Sequence, residues 1–500
     1  MAIDPHTDGK APVLPDGGVQ KNQEPAVENA DAAHLEKFGY KQELNRALGL
    51  FSSFGVQFTS ISVASVTFTT LVVGFQLFGP ASFWAFVIGG ALQVFAVGLA
   101  VAQLVSAFPL SGGVYQIVNR LTTKPWLAWQ SGWWLIIAHT VAVTAVGVGM
   151  VPFIASWFGY TDLSPTTTTL WALGLIAFVT IVNISGVRIA ALLNNLGVFA
   201  EIAGIIVIIG ALVFFKYDRA PSATLFDTGG TTTTAALWFA PFLFAMMLPA
   251  FTISSFDATG NAAEETKNAA RNAPLGTVLA NTSAYIVGIV FIYLLVRAIP
   301  NVDDVVASDT PVKLILDSSV GSTTTVIFEA MAILALIANM AMVQLTAVRV
   351  LWSQARDRQI PAARWFHKLN GNKIPINATL VVAGLSVLFA MWSSLLAVLA
   401  ALTALAWALA YGVVVTVGLP AVLKKKLPPH PFNLGKLAPL VFVVAVLWSV
   451  VLCGILIWSD WLRVGVGMLV VIVLGFGIYA LIPAVDRGRF GHKETAKFDA

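Results

Sequence analysis

The sequence predicts an all-α membrane protein with about twelve transmembrane helices. Hydrophobic residues make up 57% of the 500 residues and charged residues only 11%, whereas a soluble chain carries about 25% charged residues. Runs of about 20 apolar residues, the length that a helix needs to cross the hydrocarbon core of a bilayer, recur along the chain. This composition and its grouping into such runs exclude a water-soluble globular fold.

The apolar runs fall into two groups of six candidate spans. The first group covers 47–78, 82–107, 126–158, 168–183, 190–215 and 236–267. The second group covers 275–299, 324–352, 376–393, 395–423, 437–458 and 462–483. The boundary between the ninth and tenth spans is the weakest, because only Trp392-Ser393-Ser394 interrupts the run.

Loop charges give this map an orientation. If both termini are cytoplasmic, only five of the 29 Lys and Arg residues fall in exterior loops, namely Lys216, Arg219, Arg297, Lys313 and Arg463. Such a bias is typical of the positive-inside rule. The sequence therefore predicts a multi-pass protein of the plasma (inner) membrane with both termini in the cytoplasm.

The same map divides the chain into four parts. Residues 1–46 are rich in Asp, Glu, Gly, Pro and Ala, lack the pattern of a cleaved signal, and are expected to form a flexible cytoplasmic tail. Residues 47–425 form the ten-helix core, 426–485 hold peripheral helices 11 and 12, and 486–500 form a cytoplasmic C-terminal tail.

Several functional classes are disfavoured by what the sequence contains. The single cysteine, Cys453, excludes disulfides and cysteine-based metal sites, and we expect no metal and no cofactor. The basic residues lie in loops where orientation explains them, so membrane lipids, and not nucleic acid, are the expected contacts. No Gly-x-x-x-x-Gly-Lys-Ser/Thr loop is present for an ATP-driven pump. The chain is not expected to be an enzyme, because it lacks a clustered nucleophile and base.

Spans one and six are longer than a bilayer requires, and small polar residues interrupt both. A five-plus-five inverted repeat would place corresponding helices there, and unwound backbone at the midplane persists where it lines a cavity. We therefore predict that discontinuous helices 1 and 6 form a substrate site. Its predicted lining residues are Ser62, Ala64 and Ser65 of span one, and Thr252, Ser254 and Ser255 of span six. The alternative is that small residues merely let helices pack closely.

Ionisable residues inside spans are costly and are therefore functional candidates. His139 and Glu201 both lie near the midplane at a rise of about 1.5 Å per residue. Desolvation favours protonated Glu201, which would make it a proton carrier; its anion could instead attract a cationic substrate, or the protonated acid could simply bond to neighbouring helices. His139 could share a proton with Glu201 or be a packed ring. Glu329, about five residues into span eight, is expected to be hydrated.

Acidic residues also follow span six. Glu264 and Glu265, with Arg271, could form ion pairs that open and close the cytoplasmic end of the protein. The alternative is that they are solvated loop charges, which contribute little individually.

Four motifs occur in the order found in one transporter family: Phe38-Gly39-Tyr40-Lys41-Gln42-Glu43-Leu44, Phe108-Pro109-Leu110-Ser111-Gly112-Gly113-Val114-Tyr115, Phe256-Asp257-Ala258 with Glu264-Glu265-Thr266-Lys267-Asn268, and Ala355-Arg356-Asp357-Arg358. Over about residues 38–425 the chain resembles the amino acid–polyamine–organocation permeases, and within them the amino acid/choline branch that includes GABA-type permeases. The resemblance implies ten core helices in two inverted repeats plus two peripheral helices.

The resemblance also implies roles for individual residues. The substrate amine would be held near Asp257, with Phe256 as an aromatic lid, although Asp257 could instead cap the next helix. Independently of the resemblance, Trp407 of span ten is an aromatic residue that could line the path, or serve only in packing. Glu201 falls where many relatives carry a coupling lysine. Relatives that bind α-amino acids often have Gly-Ser/Thr-Gly in span one, where this chain has Ala64-Ser65-Val66, and this favours an amine over an α-amino acid.

The sequence thus predicts a secondary active transporter that imports a small amino acid or related amine by alternating access. Proton coupling is favoured over sodium coupling, because span eight offers few hydroxyls. The alternatives are a transporter-like sensor or channel, or an exchanger of amines or amino acids without ion coupling.

Overall fold

The computed structural model describes residues 31–33, 35–44, 46–160, 163–216, 220–231, 239–392 and 395–487. Over these ranges the chain is almost entirely helical and contains no β-strand, apart from an isolated bridge between Leu48 and Thr266. The side chain of Ser65, one of the predicted substrate contacts, lies outside the described part.

The α-helices are numbered in chain order. The first half contains α1 Leu50–Ile61, α2 Val63–Phe78, α3 Ser82–Leu92, α4 Leu99–Ala107, α5 Gly113–Leu121, α6 Pro125–Trp157, α7 Pro165–Ser185, α8 Val187–Ala211, α9 Ala240–Ala245, α10 Met247–Thr252 and α11 Ala258–Asn261. The second half contains α12 Ala269–Arg297, α13 Val302–Ala307, α14 Pro311–Val320, α15 Ser322–Arg356, α16 Ala363–His367, α17 Ile376–Ala390, α18 Leu396–Leu423, α19 Ala438–Ser459 and α20 Val466–Leu481.

Nine of the helical stretches in the described part are long and apolar enough to cross a membrane, when Leu50–Ala107 is counted as one stretch. Two shorter apolar helices, Ala240–Thr252 and Ile376–Ala390, lie at predicted spans six and nine. The predicted all-α membrane class is therefore confirmed. The count of twelve spans, their orientation and the inverted repeat stay predictions.

The helix is interrupted at both places where small polar residues interrupt the apolar runs. Ser62, between α1 and α2, has φ 45° and ψ 55°, and Ser255, between α10 and α11, has φ 56°. Left-handed backbone is uncommon outside glycine, and such conformations concentrate at functional sites. We call the turn at Ser62 the first break and the segment between Thr252 and Ala258 the second break.

Helix α6 occupies the centre of the bundle. Its most apolar stretch is completely buried, and it packs along α15 and α18. Helix α8 also packs against α15. Their approach is close at Gly197, where an added Cβ would lie 2.2 Å from the Cβ of Ala338. Glu201 follows Gly197 by four residues, so this contact sets the position of Glu201 on the same face of α8.

Residues 1–30 of the predicted flexible tail lie outside the described part, whereas the described residues between 31 and 46 pack against the bundle. Leu35, Phe38 and Tyr40 are buried, and Asp31 forms an ion pair with Arg46 at 2.9 Å. Composition gave no indication of this packing because these few apolar residues stand among charged ones, and their partners lie far along the chain.

Candidate functional site

The carboxylate of Glu201 lies at the first break. Its Oε2 accepts a hydrogen bond from the Ser62 hydroxyl at 2.6 Å, and its Oε1 accepts one from the backbone amide of Ala64 at 2.9 Å. Only 4% of Glu201 is exposed. Helix α2 starts at Val63, so the side chain satisfies an amide that has no partner within its own helix. Glu201 thereby joins span five to the unwound turn of span one.

Side-chain amides bind the carbonyl groups that the breaks leave free. Asn339 Nδ2 of α15 donates to the carbonyls of Thr59 and Ser60 at 2.8 and 2.9 Å. Gln57 Nε2 of α1 donates to the carbonyl of Ser255 at 3.0 Å. Because a buried carbonyl without a partner is costly, these two amides stabilise the breaks. Neither Asn339 nor Gln57 carried a sequence signal beyond being a polar residue within a span.

Asp257 lies directly after the second break and is completely buried. Its Oδ1 accepts a hydrogen bond from the hydroxyl of Tyr411 at 2.5 Å and faces Nε2 of His139 at 3.7 Å. Its Oδ2 accepts one from Asn261 Nδ2 at 2.6 Å. His139 therefore pairs with Asp257, and in the described part it forms no ion pair with Glu201.

Aromatic rings pack against His139 and Tyr411, the two residues that contact Asp257 Oδ1. The ring of Trp407 meets that of His139 edge-on with centroids 5.5 Å apart, and Phe251 lies 6.2 Å from Trp407. The Phe256 ring contacts Tyr411 at 5.2 Å and is completely buried. The break is thus closed from water in this conformation, with Phe256 and Trp407 both against the residues that hold Asp257.

The other predicted hydroxyls of span six lie on their own helix. Thr252 Oγ1 donates to the Leu248 carbonyl at 2.8 Å, and Ser254 Oγ donates to the Phe251 carbonyl at 2.9 Å. The hydroxyl of Ser255 is buried and has no hydrogen-bond partner among the described residues. Of these three side chains, Ser255 is the one whose hydroxyl is available to a ligand at the second break.

Ion pairs close the end of the bundle that carries the N-terminal segment. Arg356 Nη1 contacts Glu264 Oε2 at 2.9 Å, and Arg349 Nε contacts Glu265 Oε1 at 2.8 Å. Arg271, the partner considered from sequence, is exposed and pairs with neither acid in the described part. Sequence proximity suggested Arg271, whereas the observed arginines reach the two acids from α15.

A second polar cluster adjoins these pairs. Asp357 accepts hydrogen bonds from the hydroxyls of Tyr40 and Tyr115, each at 3.0 Å, and from Gln116 Nε2 at 2.7 Å. The guanidinium of Arg356 lies 4.1 Å from the centre of the Tyr40 ring. Burial raises the pKa of Asp357 above its usual value, even though Arg356 and the three donors lower it. Tyr40, Tyr115 and Asp357 each belong to one of the four sequence motifs, and this membership was the available sequence signal.

Glu329 is completely buried, so the expectation that it is hydrated was wrong. Its Oε1 lies 3.0 Å from Lys313 Nζ, and its Oε2 accepts a hydrogen bond from Trp157 Nε1 at 3.0 Å. The position of Glu329 near the end of span eight suggested contact with water. Helix α14, which carries Lys313, covers this end of α15 and buries the side chain.

The sequence model of the amino acid permease family matches residues 48–478. The chain belongs to the amino acid permease family. Members are membrane transporters and not enzymes, so this permease is a multi-pass amino acid transporter. The match confirms the resemblance to amino acid–polyamine–organocation permeases drawn from the four motifs.

Curated relatives come from plants and fungi. The permease is 28% identical over 449 residues to the amino-acid permease BAT1 homolog of Oryza sativa subsp. japonica, covering 83% of this chain and 85% of the relative. It is 25% identical over 460 residues to amino-acid permease BAT1 of Arabidopsis thaliana, covering 85% and 87%. It is 24% identical over 494 residues to amino-acid permease 2 of Neurospora crassa, covering 93% and 88%.

Proposed function

We propose that this permease is a proton-coupled importer of a small amino acid or a related amine in the plasma membrane, working by alternating access between the two breaks. The observation that carries the proposal is the bond between the buried carboxylate of Glu201 and the amide of Ala64, at 2.9 Å. A titratable group that caps the unwound turn of span one couples its protonation to the conformation of that turn.

The physical argument concerns the charge of Glu201. An ionised carboxylate is a strong acceptor for the Ala64 amide and is favoured at the N-terminal end of α2, where the helix dipole is positive. Protonation removes that charge and weakens both bonds to span one. A proton that arrives from outside would therefore loosen the first break, and its release to the cytoplasm would restore the cap.

Both breaks supply groups for a substrate. Asp257 carries the negative charge that suits an ammonium group, and Phe256 and Trp407 offer aromatic faces near it. The amide of Ala64, which could bind a substrate carboxylate, is held by Glu201 in this conformation. These contacts favour an ammonium-bearing substrate, and the relatives named as amino-acid permeases favour an amino acid.

The test uses purified protein in proteoliposomes with an imposed pH gradient. A thermal-shift screen with amino acids, GABA, choline and polyamines selects the substrate, and its accumulation is measured with and without the gradient. We expect the wild type to accumulate substrate only with the gradient. Glu201→Gln should bind substrate and exchange it but no longer concentrate it.

Glu329→Gln is the matched control, since Glu329 is another buried acid of a span but lies away from both breaks. It should accumulate substrate as the wild type does. Gradient-independent uptake by the wild type would favour an exchanger or channel, and substrate binding without flux would favour a sensor.

A further inference from the structure

The pair formed by His139 and Asp257 places two titratable groups against each other at the second break. His139 Nε2 lies 3.7 Å from Asp257 Oδ1, and both side chains are completely buried. Among the described residues, the one other titratable side chain in contact with Asp257 is Tyr411 of α18. His139 otherwise meets the Leu135 carbonyl and the Trp407 ring.

The hydrogen bond on the far side of the imidazole fixes its tautomer. His139 Nδ1 lies 2.8 Å from the carbonyl oxygen of Leu135. A carbonyl can only accept, so Nδ1 carries a hydrogen and donates it. Nε2, which faces Asp257, then carries a lone pair if the ring is neutral, or a hydrogen if the ring is an imidazolium.

A lone pair and an anionic carboxylate would repel each other where no water separates them. The buried surroundings make that repulsion costly, because an isolated charge in a low dielectric is strongly disfavoured. The arrangement is favourable when the pair holds one proton, either on Nε2 or on the carboxyl group. The geometry therefore favours one bound proton here in this conformation.

Two further side chains hold Asp257 in this orientation. The Tyr411 hydroxyl donates to Oδ1 at 2.5 Å, and Asn261 Nδ2 donates to Oδ2 at 2.6 Å. Hydrogen bonds donated to a carboxylate favour its charged form. The proton of the pair consequently belongs on His139, as an imidazolium opposite an aspartate anion.

We propose that His139 and Asp257 form a second proton-binding site, separate from Glu201, and that Tyr411 and Asn261 are positioning residues for it. Each break then has its own proton-binding group. Glu201 binds a proton at the first break, and the His139–Asp257 pair binds one at the second. A proton from water on one side forms the Nε2–H bond, and the same bond breaks when the site opens to water on the other side. The proposal rests on the proposed function in that both protons would accompany substrate.

The direct test is a proton-binding titration of the purified full-length permease in detergent, without substrate, from about pH 5 to about pH 9. We expect His139→Gln to bind about one proton fewer than the wild type over this range, and Glu201→Gln to lose a separate one. His430→Gln, which removes a partly buried histidine from the loop before α19, is the matched control and should leave the proton of the His139–Asp257 pair in place. Thermal unfolding confirms that each variant is folded.

Tyr411→Phe gives an independent readout. The Tyr411 hydroxyl stabilises the Asp257 anion most when His139 is neutral. Without that hydroxyl the pair should hold its proton more tightly, and should release it at a higher pH than in the wild type. A structural role alone would lower the melting temperature and leave the titration curve in place.

The outcomes separate the two proposals. An unchanged proton count in His139→Gln, or an unshifted curve in Tyr411→Phe, overturns the second proton site and leaves coupling through Glu201 standing. Loss of the expected proton in His139→Gln supports the second site even if wild-type uptake proves independent of the pH gradient, a result that would overturn the proposed function alone.

Discussion

Glu201 of α8 and Ala64 of α2, 137 positions apart in sequence, are joined by a hydrogen bond of 2.9 Å between a carboxylate and a backbone amide. The bond makes the start of α2 depend on the position of α8. Anything that displaces α8 therefore acts on the first break.

The substitution Gly197→Ala should displace α8. The added methyl would lie 2.2 Å from the Ala338 Cβ, so α8 must move away from α15 and carry Glu201 with it. We expect a loss of about 1–3 kcal/mol in the free energy of unfolding, typical of overpacking, together with loss of gradient-driven accumulation.

Gly210→Ala is the control for that variant, because it lies in the same helix and a Cβ there meets nothing within 4 Å. It should be neutral or stabilise the protein by up to about 1 kcal/mol, as alanine is the better helix former. Equal uptake by the two alanine variants would contradict the role assigned to the α8–α15 contact.

Arg356→Met should be strongly destabilising. Its partner Glu264 has no exposed side-chain surface and would be left as a buried charge without its cation, which costs about 3–5 kcal/mol in comparable pairs. Thermal and denaturant unfolding in detergent micelles measure the loss. Arg271→Met, at an exposed arginine of the same end, should change stability by no more than about 0.5 kcal/mol.

Asp357 should make stability depend on pH. Burial raises the pKa of this carboxyl above 3.8 in the folded protein, so the folded state binds the proton more tightly than the unfolded chain does. That contribution is fully present below the unfolded pKa and is lost as pH rises through the folded pKa. We expect the melting temperature of the wild type, relative to Asp357→Asn, to fall as pH rises from about 4. Asp309→Asn, at an exposed aspartate, is the control for removing a carboxylate from the surface.

Lys313→Met should lower the free energy of unfolding, because Glu329 is buried and depends on this cation. With the ammonium gone, the carboxylate retains the indole of Trp157 but no cation, and we expect a loss of about 1–3 kcal/mol. Adding Glu329→Gln should recover part of it, since the remaining group is then neutral. Asp317→Asn removes the partly exposed partner of Lys313, 3.6 Å away, and should cost less than about 1 kcal/mol. A double variant that is no more stable than Lys313→Met would contradict the ion-pair assignment.

The fold could be predicted from sequence largely because its signals are local. Apolar runs and loop motifs are properties of short stretches, and they indicated the helical membrane class and both breaks. Ser62 and Ser255, the two left-handed serines, lie inside the interruptions visible in the apolar runs. Single residues at membrane depth likewise marked His139 and Glu201.

The partners of these residues could not be predicted, because they depend on which helix faces meet. His139 was considered with Glu201, and its ion pair is with Asp257 instead. Arg271 was considered with the acids beside it in sequence, whereas Arg349 and Arg356 reach them from α15. Depth along a helix also says nothing about what covers it, as Glu329 illustrates.

The buried N-terminal segment has a practical consequence for spectroscopy. Tyr40 bonds to Asp357, and the amides of Ala47 and Leu48 bond to the carbonyl of Glu265, so opening this end of the bundle has to move the segment. Lys41 beside it is exposed, and Cys453 is the single native thiol. A Lys41→Cys protein with Cys453 replaced would carry one fluorophore or spin label, which would report each opening from a position remote from either break.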